Sequence, residues 1–376
     1  MKVNILTKGF LSPTARGWLY PIVKNKHSLL DLGVDVSFFL KNSEKVKFCD
    51  VVIVESKFVR DDWLKNKEKI FEFLHSLKTK NNKVFFYDLG DSTYSWVLEA
   101  LPYVDKLLKP FIFKDKNNYC IPLNGCNILT DYYSKNGMIK PDNLRSPKYL
   151  NKKDSHLLNK IKLGFNATFA DHGYNSNLWK HDYFHRLTRH SFGIYQRMMK
   201  SVKSEDFINP EVNRTKNLSC RMSINGYSNG IEFHRKETAK ILNKYLSTNK
   251  INRKIYISEI RNSKVVISPF GWGEINVPRD YEVALSGSVL LKPDISHIDT
   301  WPNIFNEDTV VQYKWDLSDL SLLTEKIIDN YSEYIQYAIR LQDQYKHYSY
   351  GEAGQNEFCN YFINICLLYT SDAADE

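Results

Sequence analysis

The chain has 376 residues, long for a single hydrophobic core, so two domains of roughly 150 to 200 residues are expected. Its 43% hydrophobic and 14% aromatic content can fill such cores and excludes intrinsic disorder. The formal charge of +9 suits a nucleic acid, an anionic membrane face or an anionic substrate. The basic residues are spread along the chain without a long block, so a solvated lysine-rich surface is the plainer reading and no nucleic-acid partner is expected.

An apolar run at 3–6 opens the chain, followed by a loop from Lys8 to Gly17 and a helical stretch closing near Gly33. The loop has neither the dinucleotide nor the Walker glycine pattern. Runs at 36–39 and 51–54 read as strands, 61–78 as a helix, and 84–87 as a strand leading into Asp88-Leu-Gly-Asp-Ser92. Short apolar runs separated by helical patterns predict βαβ units and a parallel sheet covered on both faces. The less regular stretch 101–148 is assigned to the cleft or edge of this first domain, taken to span 1–150. Residues 151–160 read as a linker.

The alternation restarts with a strand at 161–165, a helix around 184–200, a strand at 218–224, and helices at 235–246 and 253–263. A second Rossmann-like domain is therefore expected over 161–350. A long helical pattern at 317–345 is expected to close it and cross back toward the first domain. Residues 351–365 make a C-terminal segment. Residues 366–376 have the wording that a transposase-type sequencing adapter encodes, so they are expected to lie outside the natural reading frame. Before that point stand Cys49, Cys120, Cys126, Cys220 and Cys359, an odd set without Cys-x-x-Cys or zinc-ribbon spacing. Reduced thiols, no metal site and a cytoplasmic location are the expectation. No signal-peptide pattern and no run of 18 apolar residues is seen.

The most informative segment runs from Ser268 to Asp294. Val265-Val-Ile267 leads into a turn with Gly271 and Gly273, then a helix from Pro278 to Ser286, then Val289-Leu-Leu291. Pro278 suits the first helical position and Gly287 the residue just past the end. Such a turn sits at the carboxyl end of a parallel strand, where open α/β sheets bind ligands. Glu282 could accept two hydrogen bonds from a diol such as a ribose. The helix amino end and the amides of Gly271 and Gly273 could donate to a phosphate, with Glu274 facing the cleft beside them. Two exposed glutamates would show the same spacing, and the pattern alone favours neither.

Glu274 and Glu282 reproduce the Glu-x7-Glu pattern of group 1 glycosyltransferases with the GT-B fold. Arg279-Asp-Tyr-Glu282, followed by Ala284, Gly287 and Leu290-Leu291, resembles the C-terminal domain of their spore-coat-type branch. The likeness spans about residues 218 to 320. It implies an α/β protein with two Rossmann-like domains facing across a cleft, acceptor against the first and donor against the second. On that basis Glu282 would grip the ribose of a nucleotide sugar and Glu274 would face the donor sugar. Gly-Trp-Gly before Glu274, in place of a Phe-Gly pair after it, departs from the family wording. The implied activity is metal-independent transfer of a sugar from a nucleotide-sugar donor to a glycan, lipid-linked or protein acceptor. No cofactor is implied. The implied setting is bacterial surface polysaccharide synthesis, with peripheral contact at the inner membrane face.

A diphosphate leaving group then needs positive charge, for which Arg221, Arg235, Lys236 and Arg279 are the candidates. An inverting enzyme also needs a base from the first domain or the domain junction. Asp91 is the first choice and His172 the second, against the ordinary role of such residues in turns. Tyr132 and Tyr133 are candidates for stacking on sugar rings, with core packing the commoner role. Two other readings stay open: a nucleotide-sugar 2-epimerase of the same fold, and a basic nucleic-acid-binding or scaffold protein, which requires a contiguous basic face.

Overall fold

The computed structural model of the chain describes residues 1–95, 97–142, 146–166, 202–273 and 278–367. Its strands are β1 (Lys2–Leu6), β2 (Asp35–Phe39), β3 (Val51–Glu55), β4 (Lys83–Tyr87), β5 (Lys106–Lys109) and β6 (Phe111–Phe113). They continue with β7 (Ile161–Leu163), β8 (Lys216–Ser219), β9 (Ser263–Ile267), β10 (Val289–Pro293), β11 (Ile298–Thr300) and β12 (Val311–Tyr313). Among the described residues these form two all-parallel sheets, ordered β2-β1-β3-β4-β5-β7 and β12-β10-β9-β8. The two Rossmann-like units expected from the alternation are present.

Burial on both faces explains the composition of the first sheet. Val51-Val-Ile-Val-Glu55 is buried at every position, as a central parallel strand between two helical layers requires. Helix α1 (Pro13–Lys24) is capped by Ser12, whose Oγ accepts from the Ala15 amide at 3.4 Å, and lays Trp18, Leu19 and Ile22 on one face. Helix α2 (Lys26–Asp31) follows. The helix expected at 61–78 is two helices, α3 (Ser56–Lys65) and α4 (Lys67–Ser76). Asn66 takes an extended backbone between them and its side chain accepts from the Lys69 amide. The first helix begins earlier than its apolar pattern suggests because Glu55 caps it, accepting from the Lys57 amide.

Two boundaries differ from the sequence reading. Ile161–Leu163 pairs with β5 and completes the first sheet, whereas it was expected to open the second. A three-residue apolar run carries no information about which sheet edge it will meet. Conversely, the irregular stretch after β5 leaves the first sheet: β6 pairs antiparallel with β11, and α5 (Ile128–Lys135) packs on α6 (Asn229–Leu242) of the second unit. Gly230 permits that packing, since a Cβ there would stand 2.6 Å from the Thr130 Cα.

The second unit adds α7 (Arg253–Arg261), α8 (Pro278–Ser286), α9 (Leu320–Asp329) and α10 (Tyr331–Ser349). The helical pattern expected over 317–345 is thus broken at Asn330. Helix α10 stays on the second unit, with Leu341 and Tyr345 in its core. The return to the first unit is made by α11 (Gly351–Leu367), whose Phe358, Cys359, Phe362 and Ile365 join the core over β1. Lys106 donates to the Ile365 carbonyl at 3.0 Å. Cys366, the first residue of the stretch set apart in the sequence, is buried there, and residues 368–376 lie outside the described residues.

Candidate functional site

Helix α8 is fixed at both ends before it offers anything to a ligand. Near its start Asp280 is wholly buried; its Oδ2 meets Lys292 Nζ at 2.6 Å and its Oδ1 accepts from Ser268 Oγ at 2.5 Å. A buried pair of this kind holds when the remaining oxygen is also satisfied, as it is here. At the far end Gly287 turns with φ +64°, and a Cβ there would stand 2.5 Å from the Ile208 carbonyl oxygen. Arg214 forks onto the Ser286 and Gly287 carbonyls at 2.7 and 2.8 Å, satisfying helix-terminal acceptors. From the first unit's side, Asn166 donates to the Tyr281 hydroxyl at 2.5 Å.

Glu282 is therefore held in place and only 4% exposed. Its Oε1 meets Arg253 at 2.6 Å, and among the described residues Oε2 makes no hydrogen bond. Arg253 opens α7 directly after the cap Asn252, and Tyr256 follows it at the i+3 spacing that shares a helix face. The Tyr256 hydroxyl is buried beside Glu282 without a hydrogen-bond partner, and burial, then the Glu282 charge, pushes its pKa up. Arg279 lies in the same electrostatic cluster, and its Nη1 is likewise buried and unpartnered among the described residues. Buried polar atoms without partners are uncommon in folded proteins, and here two of them belong to residues that feel the charge of a buried carboxylate.

The other sequence candidates take different places. Arg221 is committed: its Nε and Nη2 grip both oxygens of Glu259 at 2.8 and 2.7 Å, and its Nη1 reaches the Ser247 carbonyl at 2.8 Å. That bidentate pair makes it a structural group, which corrects its expected phosphate role. Arg235 is buried, with Nε on the Phe270 carbonyl and Nη1 on the Ser223 carbonyl, both at 2.7 Å. It braces the turn that carries Gly271. Lys236 is exposed on the outer side of α6. Cys220, among Arg279, Arg235 and Arg221, is nonetheless pushed up to about 11 by burial and remains a thiol.

Gly271 and Gly273 are both buried, and Gly273 marks the seam between the units. A Cβ on Gly273 would fall 1.8 Å from the Asp91 carbonyl oxygen. The loops after β4 and β9, both at carboxyl ends of parallel strands, thus touch one another, as a cleft between facing sheets requires. Asp91 itself is exposed. The protein around it raises its carboxyl pKa by desolvation, opposed by Lys57 and assisted by Asp88. Asp88 is structural, bonded to Lys109 at 2.7 Å and to Ser95 at 2.7 Å, both groups of the ion pair fully buried. Glu274 and His172 lie outside the described residues.

Tyr132 and Tyr133 belong to the packing of α5 and not to the seam. The Tyr133 hydroxyl donates to the Trp315 carbonyl at 2.5 Å and accepts a hydrogen bond from His234 Nδ1–H at 2.7 Å, so His234 Nε2 accepts from the Tyr313 hydroxyl at 3.2 Å. Burial first, and then the neighbouring Arg235 charge, holds His234 near pKa 3, so the imidazole is neutral. Sequence reasoning missed Arg253 and Tyr256. Their signal, a cap at Asn252 followed by an i, i+3 pair, is local, but nothing local says that α7 faces α8.

No protein family's sequence profile matches this chain, and no curated protein does. Among solved structures it is similar to an α-glucosyltransferase in complex with UDP and a DNA 13-mer, at 10% identity and TM-score 0.40 over 98% of this chain and 99% of that one. It is also similar to an α1,3-fucosyltransferase, at 11% identity and TM-score 0.41 over 97% and 90% of the two chains. A third similarity is to Anabaena HepE in complex with UDP-glucose, at 9% identity and TM-score 0.40 over 97% and 100%. At these identities the likeness is one of layout and bears on no single residue.

Proposed function

We propose that the protein is a glycosyltransferase that binds a nucleotide sugar against its second sheet and transfers the sugar to an acceptor hydroxyl at the seam. The observation that carries this reading is the pair of unpartnered buried atoms, Tyr256 Oη and Arg279 Nη1, around the buried carboxylate of Glu282. A ribose diol supplies donors for the free carboxylate oxygen. A nucleoside diphosphate supplies acceptors for the guanidinium and the phenol. Glu274 keeps its assignment to the donor sugar by the family resemblance, and the Gly271 and Gly273 amides keep theirs to phosphate by their place before a helix amino end.

In the transfer, an acceptor oxygen forms its bond to the anomeric carbon as the bond from that carbon to the β-phosphate oxygen breaks. The electron pair leaves with the nucleoside diphosphate, whose charge Arg279 and the amino end of α8 offset. The hydroxyl proton passes to a base. Asp91 is our assignment, because its carboxyl is raised by its surroundings and its loop meets the Gly273 turn. His172 is the second candidate. No metal or cofactor takes part in this scheme. A glycan, lipid-linked or protein acceptor in surface polysaccharide assembly, and a basic surface resting on anionic lipid, complete the proposal.

Incubation with UDP- and GDP-sugars tests it, with CMP-sugars, which lack a β-phosphate, and dTDP-sugars, which lack the 2′-hydroxyl, as controls that should not turn over. Wild-type protein should release the free nucleotide from a UDP- or GDP-sugar, slowly to water and faster with a suitable acceptor or with acceptor lipid in anionic vesicles. Glu282→Ala should release none. Silence with every donor, or equal release by the variant, refutes the assignment.

A further inference from the structure

The turn between β9 and α8 carries an aromatic side chain that neither the core nor the donor cluster uses. Trp272 lies between Gly271 and Gly273 and is 64% exposed, and no other described tryptophan is exposed. Single exposed apolar residues are ordinary, so exposure alone means little. This ring, however, is braced. Tyr227 stands against it with ring centroids 5.0 Å apart and planes at 51°, and the Arg235 guanidinium lies 4.1 Å from the Tyr227 ring centroid. Arg235 is in turn pinned by the Phe270 and Ser223 carbonyls. A buried arginine thereby fixes an aromatic corner that opens to water.

The corner is also at a defined place. Gly273, the next residue, touches the backbone of Asp91 from the other unit, so Trp272 stands at the seam, one residue from the exposed Asp91 loop. We infer that Trp272 and Tyr227 form an acceptor subsite that takes the apolar face of a pyranose ring. This inference rests on the proposed function and deepens it. A sugar ring offers axial C–H groups to the indole face and equatorial hydroxyls to a carboxylate such as Asp91. A tilted corner of two rings suits that shape better than a nucleobase, which stacks flat on one ring and needs a polar edge beside it.

The test uses full-length protein labelled with 5-fluorotryptophan, the Trp272 resonance being identified by its loss in Trp272→Phe. The probes are methyl β-glucoside, methyl α-mannoside and methyl N-acetyl-β-glucosaminide, each added with and without UDP. One of them should move the Trp272 resonance and leave the other tryptophans in place, and Tyr227→Ala should weaken that response roughly tenfold. Nucleotide-induced thermal stabilisation should be unchanged in Trp272→Ala. A Trp272 resonance that ignores all three glycosides up to their solubility overturns the subsite. A resonance that moves with UDP alone, with nucleotide stabilisation lost in Trp272→Ala, overturns it in favour of base stacking. Absence of any nucleotide binding in wild-type protein would remove the donor reading instead, and the glycoside response at Trp272 would still judge the subsite.

Discussion

Tyr256 isolates what the donor site asks of a single atom. Its ring is packed in the core of the second unit, while its hydroxyl makes no hydrogen bond among the described residues. Removing an unpartnered buried hydroxyl costs a folded protein little, because no bond is lost and a desolvated polar group disappears. Removing one that a ligand satisfies costs the ligand. Tyr256→Phe should therefore leave the melting temperature of the free protein unchanged or raised, and weaken nucleotide binding by roughly tenfold, about 1 to 1.5 kcal/mol. Titration calorimetry on both proteins checks this; unchanged affinity would return Tyr256 to the core. Arg221 shows the opposite case. An arginine next to a strand invites a phosphate reading, and only the fold reveals that Glu259, 38 residues away in the chain, has already taken its fork.

The elements read from sequence with uneven success, for reasons that can be named. Helix α8 was legible to the residue, because Pro278 and Gly287 are punctuation with a mechanism: a preset φ at the start and a left-handed turn at the end. Strands β1, β3, β4, β9 and β10 were legible from apolar runs buried on both faces. The membership of β7 and the path of 111–142 were not, since edge pairing depends on partners distant in sequence. Close approach of elements is equally silent. Gly230 looks like an ordinary weak helix residue, yet its missing Cβ is what lets α6 meet Thr130 on α5. Alanine there should help an isolated helix by about 1 kcal/mol. In this protein Gly230→Ala should instead destabilise, by about 1 to 3 kcal/mol, because backbone must move. Urea denaturation measures the sign, and a stabilised variant would show that the α5–α6 approach is loose.

For the whole molecule, buried titratable groups set the response to acid. His234 is held near pKa 3 by burial, well below its ordinary value, so the unfolded chain takes up this proton first as pH falls from about 6.5. Stability from His234 is complete above that pH and is lost on the way down. Glu259 is opposed by its own burial but lowered to about 2 by Arg221 and Ser219, so its contribution is present above about 4.5 and lost below it. Glu55 runs the other way: burial raises it to about 6, so the folded form takes up its proton first between about 6 and 4.5 and gains stability there. Its displacement is the smallest of the three, so the net effect is loss. The urea midpoint should be lower at pH 4 than at pH 7, and a flat profile would contradict the burial of His234 and the Glu259 pair.

Glu282, Tyr256 and Arg279 together must hold a nucleotide if the second sheet is the donor side. Thermal-shift measurement with UDP, GDP, CMP and dTDP on wild-type and Glu282→Ala protein tests this directly. One of the three ribonucleotides should raise the wild-type melting temperature and leave that of the variant where it was, and dTDP, which lacks the 2′-hydroxyl of the diol, should raise neither. No rise with any of the four, or an equal rise in the variant, would contradict it.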